Sequence, residues 1–193
     1  MKEENKTAAV LAGVFLLFYA LPYFFSALDA LSSGSLWEDG NLLLLGNLIP
    51  LPLAGLFLIL CKPKTAAVLM TATVLAALIR SLPVLPEYLK AENGMISVEE
   101  FGNHIVHMPA YLGLTPLLLL LAELLLAVTL YTRGPAALIL SVLASLSMLA
   151  LTALEFQMMF YMTGHPSPLS LIIPLNFVIA AISAGLYLLS QDS

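Results

Sequence analysis

Three ionisable side chains, Arg80, Glu123 and Glu155, stand inside long apolar runs. A second group, Glu100, His104 and His107, stands outside any such run at spacings of four and three residues. The two groups point to different chemistry. A carboxyl held away from water can carry a proton or meet a cation. An arginine keeps its charge there and is best accommodated by a fork-shaped partner such as a carboxylate. Imidazoles and a carboxylate one helical turn apart share a face and suit a divalent transition metal.

The apolar runs cover residues 7–31, 41–60, 65–85, 109–132, 135–162 and 169–189 of a 193-residue chain. A helix rises 1.5 Å per residue, so about 20 apolar residues cross a hydrocarbon layer ~30 Å thick. The sequence therefore predicts an all-α fold, a polytopic membrane bundle of six transmembrane helices forming a single domain over 1–193. Hydrophobic residues make up 61% of the chain and charged ones 10%, which leaves no material for a sizeable aqueous domain. The net charge is −5 and no basic stripe is present, so nucleic acid is excluded as a partner. The expected partners are the lipid bilayer and either a membrane protein or a second copy of the chain.

Orientation follows from the basic residues. Lys2, Lys6, Lys62, Lys64 and Arg133 lie on one predicted side; the other has Lys90 and the outward-lying Arg80 as its basic residues, with Glu38, Asp39, Glu87, Glu92, Glu99 and Glu100. Both termini are thus expected in the cytoplasm, with the protein in the plasma membrane. The single cysteine, Cys61, excludes an internal disulfide and reads as a small apolar filler at the cytoplasmic interface.

Depth arithmetic places Glu123 near mid-bilayer and Arg80 and Glu155 roughly 7–10 Å outward of it. Shared depth suggests an Arg80–Glu155 pair. The segment around Glu123 carries eleven leucines between Leu112 and Leu130, worth roughly 3–6 kcal/mol on insertion scales, which offsets one charge. Ser141, Ser145, Thr152 and Glu155 recur on one helical face, as do Asn176, Ala180, Ser183 and Tyr187. With Asn47 and Gln157 at the outer level, Arg80, Glu123, Glu155 and Asn176 form a candidate ligand-binding set. No catalytic residue is assigned.

Two regularities organise the runs. Lys6-Thr7-Ala8-Ala9, Lys64-Thr65-Ala66-Ala67 and Arg133-Gly134-Pro135-Ala136-Ala137 open the odd-numbered runs alike, which suggests three up-down hairpin repeats. Pro22, Pro50, Pro52, Pro83, Pro116 and Pro174 fall in the outer halves, where each is expected to bend its helix. Residues 86–108 form an outer loop. There, Ser97 followed by Glu100 resembles a capping box and predicts a short interfacial helix. On that helix Glu100, His104 and His107 would share a face, with His165 from the last outer turn as a further metal ligand. An exposed polar lid without metal is the competing reading.

Enzyme motifs are not found. No Gly-x-Ser-x-Gly, Cys-x-x-Cys, His-Glu-x-x-His or phosphate-cradling glycine loop occurs. The six-helix layout with cytoplasmic termini resembles, in architecture alone, the substrate-binding subunits of vitamin importers. The leading functional expectation is transport-type binding of a small molecule or ion in an outward-opening intramembrane pocket. The alternatives are a non-catalytic subunit or sensor that binds partner helices, and a membrane enzyme built on the Glu/His insert.

Overall fold

A computed structural model describes residues 3–33, 48–82, 95–100, 104–162 and 169–191; at 3–5, 80–81, 95–100, 104–108, 110, 113, 161–162 and 169–170 the backbone alone is described. Six helices carry the fold: α1 (Glu3–Ser32), α2 (Pro50–Ile59), α3 (Pro63–Ser81), α4 (Thr115–Tyr131), α5 (Gly134–Met162) and α6 (Leu169–Leu189). Each packs on its neighbours in the chain, and α1 closes the ring against α6. Adjacent helices run antiparallel. Gly13 of α1 meets Gly55 and Ile59 of α2, the Thr71 hydroxyl lies 3.4 Å from the Tyr131 hydroxyl, and Tyr187 reaches the Cys61 carbonyl at 3.5 Å. One end of the bundle thus holds the start of α1, the α2–α3 and α4–α5 turns and the end of α6. We call it the terminal end, and the opposite end the hairpin end.

Small residues let the backbones approach. A Cβ on Gly13 would strike the Gly55 carbonyl oxygen, and one on Gly55 would come within 2.8 Å of the Gly13 carbonyl oxygen. Ala9, Ala12, Ala54, Ala66, Ala67, Ala137 and Ala184 are fully buried around this half of the bundle. In lipid no hydrophobic force drives helices together, so close backbone packing of this kind is the main source of cohesion.

The α2–α3 turn shows how a helix stops without glycine. Cys61 adopts a left-handed φ of 56°, Lys62 N–H donates to the Phe57 carbonyl at 2.8 Å and Cys61 N–H to Leu58 at 2.9 Å. This is a Schellman pairing of otherwise orphaned carbonyls, and Pro63 then starts α3. Cys61 is half-buried and packs against the core, so it serves both as this turn residue and as the expected apolar filler.

Three helices, spanning Lys6–Ser32, Gly134–Phe160 and Leu171–Leu189, are long and apolar enough to cross a membrane. The protein is therefore a membrane protein. The described part of α2 has 10 residues, and 41–47 of the expected second run lie outside the described residues. The fourth run begins later than expected. Its helix starts at Thr115, after a 3-10 turn over Ala110–Leu114, and its 17 residues rise about 26 Å.

Two expectations are corrected. Residues 95–109 contain an antiparallel hairpin, not a short interfacial helix: β1 (Met95–Glu100) pairs with β2 (His104–Pro109), with Glu100 opposite His104 and Ser97 opposite His107. Ile96, Val98, Ile105 and Val106 favour a pleated strand, and Gly102 weakens a helix. Pro50 and Pro116 do not bend helices; they sit in the first turns of α2 and α4, where the missing N–H has no helical acceptor to serve. Pro52 also falls in the first turn of α2, Pro83 lies outside the described residues, and among the described helices α1 and α6 carry an internal proline, Pro22 and Pro174.

Candidate functional site

In the half of the bundle nearer the hairpin, four helices part around a cavity of about 440 Å³. Tyr19 and Tyr23 of α1, Leu119 of α4, Met148, Leu151, Glu155, Met158 and Met159 of α5, and Ile173 and Pro174 of α6 line it. The volume lies in the range of small-molecule sites, about 300–1,000 Å³. Both internal prolines stand at this level: Pro174 is part of the wall and Pro22 adjoins Tyr23. A proline inside a helix leaves the carbonyl four residues earlier without its N–H donor, here those of Phe18 and Ser170.

Tyr19 is the pivot. Its hydroxyl donates to Oε1 of Glu123 at 3.0 Å and lies 3.5 Å from the Tyr23 hydroxyl. Its ring meets Phe177 edge-on, with centroids 5.1 Å apart. Glu123 is wholly buried, on the face of α4 that also buries Ala122, Leu126 and Ala127. Leu119, one turn away on α4, lines the cavity. The buried carboxyl therefore stands one hydroxyl behind the wall, with Tyr19 as the link. A hydrogen bond inside an apolar bundle is worth more than one in water, because the alternative is an unmet polar group.

Glu155 differs from Glu123 in every respect but charge. It is half-buried, it lines the cavity, and among the described residues no hydrogen bond or ion pair reaches it. Thioethers of Met148, Met158 and Met159 surround it on α5, at helical spacings that bring them to the same wall.

Three buried hydroxyl side chains bond within their own helices. Ser145 donates to the Ser141 carbonyl at 2.8 Å, Thr152 to Met148 at 2.8 Å, and Thr129 to Leu125 at 2.7 Å. A hydroxyl bonded within its own helix asks nothing of water, so these three positions are packing surface, whereas Tyr187 bonds across to the α2–α3 turn. Ser141 marks the tightest point: a Cβ on Gly185 of α6 would strike its hydroxyl.

The candidate ligand set is only partly brought together. Glu123 and Glu155 are at or behind the cavity wall, as described. Asn176 is half-buried on α6 and is not among the lining residues. Gln157 is exposed, two residues and therefore about 200° around the helix from Glu155. Its Nε2 donates to the Tyr111 hydroxyl at 2.7 Å, which ties α5 to the 3-10 turn instead of to the cavity. Asn47 and the Arg80 side chain lie outside the described residues, and with them the Arg80–Glu155 pair. His165 and the side chains of Glu100, His104 and His107 also lie outside. Because their segment is a strand pair, the shared helical face that motivated a metal site no longer applies. Among the described residues no group of three His, Cys, Asp or Glu side chains is placed to hold a metal ion.

Sequence reasoning missed Tyr19, Tyr23 and the three methionines. The available signals were the four-residue spacing of the tyrosines and the recurrence of Met148, Glu155 and Met159 at seven and four. Compared with protein-family models, curated proteins and solved structures, the chain finds no match, so the site is read from its own geometry.

Proposed function

We propose that the protein crosses the plasma membrane six times, with both termini in the cytoplasm, and binds a small molecule in transport-type fashion in the cavity of its outward-facing half. The observation that carries this reading is the cavity itself, with a carboxylate in its wall and a tyrosine-linked carboxylate behind it. Such groups inside a bilayer mark ligand or ion sites more often than packing.

Six crossings are supported by the outer faces of the shorter helices. Leu53 and Leu56 of α2, Val68, Leu75 and Ile79 of α3, and Leu117, Leu121 and Leu124 of α4 are all exposed. A helix that is apolar all round belongs in lipid. The exposed Lys6, Lys62, Lys64 and Arg133 gather at the terminal end, which supports a cytoplasmic position for it. Parity tests the reading directly. Six crossings return the C-terminus to the side of the N-terminus, whereas crossings by α1, α5 and α6 alone leave them on opposite sides. Protease protection of tags at the two ends in sealed vesicles distinguishes these cases. Cys61 adds a native probe, expected to react with an impermeant maleimide from the side that holds both tags.

Binding is tested by native mass spectrometry of protein extracted from membranes. A small molecule retained by the wild type is expected to be lost from Leu151→Trp, which pushes an indole into the cavity from its wall. Equal retention by the variant overturns the site.

A further inference from the structure

We propose that the ligand of this cavity is an organic cation with an apolar body, its charge held against Glu155; this rests on the small-molecule reading of the same cavity. Glu155 is the one charged side chain among the described lining residues, and no lysine, arginine, histidine or amide joins it to receive an anion. Tyr19 and Tyr23 add two aromatic walls, their rings at 75° with centroids 6.0 Å apart. Cations are drawn to such faces by the ring quadrupole, and two rings near a right angle are the start of an aromatic cage. Met148, Met158 and Met159 supply a soft, polarizable surface that moulds to an irregular apolar body.

The chemistry also selects against other cations. Calcium takes six to eight oxygen ligands, and magnesium keeps several waters in near-octahedral geometry; this wall offers one carboxylate and two phenols. A strongly hydrated ammonium would have to give up its water for an apolar wall, at a large desolvation cost. A quaternary or charge-delocalised nitrogen brings little water to lose and buries its carbons as well as its charge. The cavity thus fits a molecule that is cationic at one end and hydrocarbon over the rest.

The test uses full-length protein in lipid nanodiscs, with empty nanodiscs subtracted, and two probes of nearly identical shape. Benzyltrimethylammonium carries a permanent charge; neopentylbenzene replaces its nitrogen by carbon. Wild type is expected to bind the cation saturably and at least ten times more tightly than the neutral probe. Glu155→Gln should lose at least tenfold for the cation and leave the neutral probe unchanged, Glu155→Asp should retain most of the preference, and Leu151→Trp should bind neither. If both probes bind alike and Glu155→Gln alters neither, the charge selection is overturned while the cavity stands. If neither binds, or binding survives Leu151→Trp, the small-molecule site itself is overturned. Silver-ion binding in place of both probes would make the methionines a soft-metal site and overturn the inference. Should Glu155→Gln fail to fold, the cation-to-neutral comparison on the wild type still decides.

Discussion

Between Gly13 and Tyr19, about two turns apart on α1, the helix changes how it meets its neighbours. At Gly13 it touches α2 backbone to backbone, with no room for a Cβ. At Tyr19 it reaches across the ring through a side chain to a carboxyl on α4, beside a cavity. The same contrast runs through α5 and α6, which touch at Ser141 and Gly185 and part between Met148–Met159 and Ile173. Small residues fuse the terminal half, while bulky, flexible and polar ones hold the hairpin half open. Close packing and open volume are thus divided along the length of the same helices.

The contrast breaks most directly at the glycines. Gly13→Leu should lower stability by about 3 kcal/mol or more, measured by denaturant unfolding in mixed micelles, because backbone cannot retreat as a side chain can. Tolerance of leucine there would mean that the terminal half is no better packed than the other. Next in size is Tyr19→Phe, expected to lose about 1–2 kcal/mol through the bond to Glu123. Combined with Glu123→Gln, the loss should fall short of the sum of the single changes, as it does for residues sharing one bond. Strict additivity would show that the two side chains act independently.

Leu151→Trp makes the matching small-to-large change in the hairpin half. It should alter stability by about 1 kcal/mol or less, since the cavity accepts volume that a packed core refuses. A collapse like that of Gly13→Leu would remove the distinction between the halves. The smallest effect is expected at the α2–α3 turn. Cys61→Gly should raise the unfolding midpoint slightly, worth about 0.5 kcal/mol, by relieving a left-handed backbone that favours glycine.

Most helix positions were legible in the sequence because apolar runs bounded by charge and proline leave little freedom. The last run matches α6 to the residue, and the fifth begins one residue from α5. Height along each helix axis follows as well, since 1.5 Å per residue turns sequence position into level. Azimuth does not. Glu155 and Gln157 share a level yet face different ways, and nothing local told which of them meets a cavity. Tyr19 reads as one more ring in an apolar helix until α4 is placed opposite it, 104 residues later in the chain. The hairpin was missed for a different reason. Ser97 and Glu100 match a capping pattern, but the β-branched alternation around them pairs with a second strand, and that partner decides the outcome.

The ring is closed by its first and last helices, and both help to wall the cavity. During synthesis, then, the cavity lacks a wall until α6 is in place against α1. A chain cut short anywhere before Ile173 can lodge in a bilayer and bury its glycine seam, yet it leaves the chamber open on one flank. Closure of the cavity is accordingly a property of the α1–α6 seam, and a change that loosens that seam reaches the cavity without touching its lining.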